Sequence, residues 1–258
     1  MRRLAWLAGL ALALGALPAA SPPSHAQTLA PASEADLTDF YRHPSPALLG
    51  QIIVFLDHLP EARMRVAAPA AYGFLAGALR RYPANLDQII PANLSPQGLR
   101  VVAIGLHLAG QYDRADAMAA RLAAQGGGAL NMARMPASLD TVPAEDPKLF
   151  DLLWGASFAT GDGQYCAKIL AAYAAVANRD ANAADLLTIA RGHGRDQDAI
   201  KAIVQRRGID TARLLINMSS ALWSLHANAQ QHDFVRAVVM AYVQAHPREP
   251  AALALVTF

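Results

Sequence analysis

Apolar residues along most of this chain recur three and four positions apart, the period of one face of an α-helix. Leu48, Leu49, Ile52, Ile53, Phe55 and Leu56 set the first such stripe. It opens at Ser45-Pro46, because a serine hydroxyl accepts from the free amides of a helix start and proline fits the first helical position. It must close before Pro60. A second stripe over 67–81 carries Tyr72, Phe74, Leu75, Ala78 and Leu79 and stops ahead of Pro83. A short helix follows over 86–90, pinched off by Pro91. Ser95-Pro96 opens another, with Leu99, Val102, Ala103, Leu106 and His107. Gly110 ends it, and a partner helix spans 113–125.

Residues 126–147 break the pattern with Gly126-Gly127-Gly128, Pro136, Pro143 and Pro147, and are read as a flexible linker or long loop holding a short helix over 130–135. The glycine run is not a phosphate loop, since it lacks the Gly-Lys-Ser/Thr ending and follows a helix. Helical spacing resumes over 148–159, 164–176, 183–191, 196–207, 211–229 and 233–245. No segment alternates polar and apolar residues between turn signals, so no strand is expected. The expectation is an all-α fold of stacked antiparallel helical hairpins, with an N-terminal set over 45–125 and a C-terminal set over 148–258. Residues 27–44 have little to bury and are read as a lead that is flexible or ordered only on contact.

The turns between paired helices fall at Gly110-Gln111, Gly161-Asp162, Gly194-Arg195 and Gln230-Gln231. Their separation is of the order of one helical hairpin in tetratricopeptide arrays, ~34 residues. The stretch from Leu106 to Ala115, with Ala109-Gly110 and then Tyr112, resembles the tetratricopeptide turn. Phe158 to Tyr165, with Gly161-Asp162, is similar to it, whereas the turns at Gly194 and Gln230 keep less of the pattern. The resemblance covers about half of the chain beyond residue 26 and implies a protein-binding scaffold of stacked hairpins.

The first 26 residues have a different character. Arg2 and Arg3 precede an apolar run over 4–17, Pro18 breaks it, and Ser24-His25-Ala26 has the small-x-small form of a signal-peptidase site. The apolar run falls short of the ~20 residues of a spanning helix, so cleavage after Ala26 is expected and no membrane span remains. Charge then changes: the formal +2 of the whole chain comes from 22 basic and 20 acidic residues, and loss of Arg2 and Arg3 balances it. The basic residues are scattered, with Arg80-Arg81 and Arg206-Arg207 the densest pairs, both near helix C-termini, which argues against a nucleic-acid partner. Lys148, Lys168 and Lys201 are the only lysines, a usage of GC-rich bacterial genomes, and the expected compartment is the periplasm or the exterior.

Candidate chemistry is thin. Cys166 is the one cysteine and lies in an apolar helix, where burial is expected. A Cys166–His193 dyad would need contact that spacing does not imply. No two of His43, His58, His107, His193, His226, His232 and His246 stand four apart, so no metal pair is expected. Ser157, Ser219 and Ser220 lack a nucleophile-elbow context. The four glutamates, Glu34, Glu61, Glu145 and Glu249, sit in no catalytic pattern, and Asp113, Asp162, Asp196 and Asp233 read as helix-start residues. No catalytic residue, cofactor or metal is assigned. Trp154, Tyr165 and Trp223 are the candidates for a binding groove, against the bland reading that they are core. The expected function is a non-catalytic scaffold for a protein or peptide. The alternatives are a small-ligand or lipid-binding domain with a pocket near Trp154 and Trp223, and a cell-wall-acting enzyme.

Overall fold

The computed structural model describes residues 32–179, 181–192 and 194–258. The expected signal segment and His193 lie outside the described residues. Among the described residues there is no strand, and the all-α expectation is met. The helices are α1 (Glu34–Asp39), α2 (Pro46–Asp57), α3 (Glu61–Arg80), α4 (Leu86–Ile89), α5 (Pro96–Leu108), α6 (Tyr112–Ala124), α7 (Pro147–Thr160), α8 (Gly163–Ala177), α9 (Asn182–Arg191), α10 (Gln197–Arg207), α11 (Ile209–Gln231), α12 (Asp233–Ala245) and α13 (Pro250–Thr257).

Five of the thirteen described α-helices start at a polar side chain that caps them. Ser45 Oγ accepts from the Leu48 amide, and Ser95 Oγ from Gln97 and Gly98. Asp146, Asp162 and Asp196 do the same for α7, α8 and α10. Each such cap satisfies an amide with no intrahelical partner and contributes ~1 kcal/mol.

Three boundaries differ from expectation. α3 begins at Glu61, not near 67, and runs through Pro69. A proline reads as a helix start because it has no amide to donate. Here the extra turns are held by Met64, which is buried, and by the Arg65–Glu61 pair at 2.9 Å. α13 was not expected, because eight nearly all-apolar residues show no period. α1 lies inside the expected lead, closed by a capping box in which the Ser33 amide donates to Asp36 at 2.7 Å.

The middle of the molecule is a crossing of α3 and α7. Gly73 lies against Leu152, and Gly77 against Ala156, Ala159 and Thr160, so the two helices run in the same direction. A β-carbon on Gly73 would stand 1.8 Å from the Leu152 carbonyl oxygen, and one on Gly155 would stand 1.9 Å from that of Ala70. The backbones therefore touch, and only glycine fits at both places. Parallel helices need a long return path, which here is α4, α5, α6 and the 126–147 segment. The seam has little bulk, so the large side chains gather on either side of it. One core is built mainly from α2, α3 and α5, around Leu49, Ile52, Phe74, Leu75 and Leu99. The other is built from α7, α8, α9 and α11, around Trp154, Ile169, Tyr173 and Leu215.

Adjacent helices pack against each other across the expected turns at Gly110 and Gly161. α5 and α6 pair over Gly110, α7 and α8 over Gly161, and both glycines have the positive φ that such turns need. α11 is the longest helix and packs against α7, α8, α9, α10 and α12, which makes it the axis of the C-terminal half. The principal neighbour of α7 is α3 rather than its hairpin partner α8.

The 126–147 segment forms 3-10 turns at Met132–Arg134 and Leu139–Thr141 and is pinned along its length. Leu139 and Val142 are buried. The Asp140 carboxylate accepts from Arg80 at 3.0 Å and from the Tyr165 hydroxyl at 3.3 Å. Tyr112 donates to the Ala137 carbonyl at 2.8 Å, and His107 to that of Pro136 at 3.2 Å. The densest arginine pairs are also spent internally. Arg80 caps α5 through the Leu108 carbonyl, Arg81 caps α7 through those of Ala159 and Thr160, and Arg206 and Arg207 pair with the largely buried Asp185.

Replacing Gly73 or Gly155 by alanine tests the seam. In an ordinary helix interior this change stabilises by ~1 kcal/mol. Here the added methyl group must push backbones apart, and a loss of ~2 kcal/mol or more is expected from urea denaturation. A gain in stability would show that α3 and α7 do not touch in this way.

Candidate functional site

The three groove candidates do not form a groove. Trp154 is 0% exposed, its Nε1 donates to Ser224 Oγ at 3.1 Å, and its ring stacks on Phe158 at 5.8 Å. Tyr165 is buried, with only its hydroxyl reaching the Asp140–Arg80 pair. Trp223 is half-buried on α11. α7 and α8 bury more than one face each, since α7 is flanked by α3, α8 and α11, and α8 by α7, α11 and α12. Aromatic side chains on such helices fill the interior.

The nucleophile candidates are equally occupied. The Ser157, Ser219 and Ser220 hydroxyls donate to the carbonyls of Leu153, Ile216 and Asn217. Cys166 is buried, its thiol donates to the Gly163 carbonyl at 3.2 Å, and burial pushes its pKa up to about 12. It is therefore a thiol at neutral pH, not the thiolate that attacks or binds metal. Among the described residues no group of three or more His, Cys, Asp or Glu side chains is placed to hold a metal ion. Nor is any described helix long and apolar enough to cross a membrane.

One carboxylate stands apart. Asp151, in the second turn of α7, is raised to about 7 by burial and by the nearby Asp146. A strongly shifted carboxyl is a candidate acid or base. No histidine, cysteine or second shifted carboxyl accompanies it among the causes of its shift, so it does not make a catalytic constellation by itself.

An open surface depression lies elsewhere, where α11, α12 and α13 meet. The depression, of about 520 Å³, is lined by the apolar Ala229, Val239, Met240, Val243, Leu255 and Val256 together with His226, Gln230 and Arg236. Met240 is 44% exposed and Val256 59% exposed, and Leu253 on the same short helix is also exposed. Arg236 is held in place by Asp233 at 2.8 Å and by the carbonyls of Ala229 and Gln230. His226 meets the ring of Phe258 edge-on at 5.0 Å. Met240, Leu253 and Val256 stand open to solvent here, and methionine is a flexible side chain. No spacing in the sequence marks this surface, because one of its three walls, α13, is nearly all apolar and shows no helical period.

No family model matches the chain, and neither the curated proteins nor the solved structures contain a match to it.

Two measurements check these assignments. Cys166 should resist alkylation in the native protein at pH 8 and react fully in denaturant; rapid native labelling would mean an accessible thiol. Asp151 links stability to pH. Its folded pKa lies above the unfolded value, so the unfolded chain releases its proton first and stability falls as pH rises from about 4 to about 7. Asp151→Asn should remove that part of the slope and stabilise the protein at pH 7.5, as read from denaturant midpoints. An unchanged slope would show that Asp151 ionises freely in the fold.

Proposed function

We propose that this protein is a secreted, periplasmic helical-hairpin scaffold of tetratricopeptide-like ancestry that binds a protein or peptide and carries no catalytic centre of its own. The observation that supports this reading most directly is the open depression between α11, α12 and α13 with its exposed Met240 and Val256. Its lining joins apolar side chains to the polar His226, Gln230 and Arg236, a combination that can anchor an apolar peptide side chain and hydrogen-bond the backbone beside it. Soluble domains seldom leave clustered large apolar side chains uncovered without use.

A small apolar molecule is the second reading, favoured by the same apolar walls. The depression is open to solvent rather than enclosed, which suits a protruding side chain of a larger partner better than a molecule that must be buried on most sides. The expected pocket near Trp154 is filled by the protein's own rings.

The test is capture of periplasmic partners by tagged protein starting at Gln27, run beside a Met240→Glu/Val256→Glu double variant. A stoichiometric protein partner that binds the first and falls at least about tenfold with the second, with unchanged circular dichroism, is the expected result. Equal capture by both would move binding off this surface. A small molecule retained in native mass spectrometry, with no protein partner, would favour the second reading.

A further inference from the structure

The segment after residue 32 is fastened to the C-terminal half by a directional chain of hydrogen bonds. Arg42 Nε donates to the Tyr41 hydroxyl oxygen at 3.1 Å, and that hydroxyl lies 3.2 Å from His232 Nδ1. A guanidinium only donates, so the phenol oxygen accepts from Arg42 and its own proton is free to go to His232 Nδ1. In that arrangement Nδ1 is a bare acceptor, which a neutral imidazole with its proton on Nε2 provides and an imidazolium does not. Arg42 Nη2 also donates to the Gln231 carbonyl at 3.1 Å, beside His232 in the chain.

The surroundings enforce the neutral form. His232 is 3% exposed, with the rings of Phe158 at 4.8 Å, Tyr41 at 5.7 Å and Phe234 at 5.9 Å. The charged groups that face it are Asp39 and Arg42 from the docked segment and Asp233 from α12. Asp39 is paired with Arg42 at 3.0 Å and Asp233 with Arg236 at 2.8 Å, so each carboxylate already has a cation. From α7 the facing group is Phe158, and Gly161 beyond its end touches the Tyr41 ring. Burial, the largest influence, holds the imidazole below its ordinary pKa.

We propose that Arg42, Tyr41 and His232 form a pH-sensitive latch, closed while His232 is neutral, which loosens the segment over residues 33–42 from the C-terminal half when His232 takes up a proton. Protonation replaces the acceptor at Nδ1 with a donor, sets it against the phenol proton, and places a buried cation beside the exposed Arg42. The sign follows from linkage. The folded pKa lies below the unfolded value, so docking is complete above ~6.5 and is lost as pH falls below that value. Loosening uncovers the rings of His232 and Phe234, on which Tyr41 packs at 5.7 Å and 4.9 Å.

The test is hydrogen exchange of residues 33–42 in the full chain between about pH 7.5 and about pH 5, corrected for intrinsic rates, with His232 followed by nitrogen chemical shifts. Protection should fall at least about tenfold across that range, in step with loss of the Nε2–H tautomer. His232→Asn keeps an acceptor at the Nδ1 position without a titrating group, and its protection should not change with pH. Wild-type protection that is flat with pH would overturn the proposal, whether or not the variant folds. So would a His232 that carries its proton on Nδ1 at neutral pH, or a folded His232→Asn that keeps the wild-type pH dependence.

Discussion

Two helices drawn from opposite halves of the chain meet backbone to backbone, and the rest of the architecture is arranged around that meeting. Where Gly73 faces Leu152 and Gly155 faces Ala70, no side chain intervenes. Such an approach gains dispersion contact along two backbones, and it also forbids any larger residue at the crossing. Because the seam itself cannot hold bulky side chains, the interior divides into two clusters, one on each side. Tyr72 and Leu130 pack against both, which joins the two cores at the edge of the seam.

The polar network serves the same arrangement. A parallel pair of helices obliges the chain to travel the length of the molecule before it returns, and that path must be fixed to the surface it crosses. Arg80 does so at one end of α3 by holding both the Asp140 carboxylate and the last carbonyl of α5. Arg81, next to it, holds the last carbonyls of α7. These exposed or partly exposed pairs contribute little each, and their value is in direction rather than in energy. The same logic places Arg206 and Arg207 on Asp185, where a nearly buried carboxylate needs two cations more than the surface needs a basic patch.

Local structure was legible in the sequence and long-range structure was not. Ser45-Pro46 and Ser95-Pro96 marked helix starts because a cap and a proline act on their own neighbours. α12 was found end to end because its apolar period is strong and its flanks are clear. The pairing of α3 with α7 left no such mark. Gly73, Gly77 and Gly155 look like weak points of helices until the facing backbone is known. Trp154 and Tyr165 were offered as groove residues because periodicity gives one face of a helix, whereas helices packed on several sides bury the others too. The surface between α11, α12 and α13 was missed with α13 itself, and the latch at His232 joins residues far apart in the chain, which no spacing rule connects.

The seam makes one cooperative unit of the two halves. Native-state hydrogen exchange at rising denaturant reads this directly, amide by amide. Amides of α3 around 73–79 and of α7 around 152–159 should exchange only by the same global opening, with one free energy and one denaturant dependence. If α7 and α11 stay protected under conditions where α3 has already exchanged, the halves unfold separately and the seam is not what unites them.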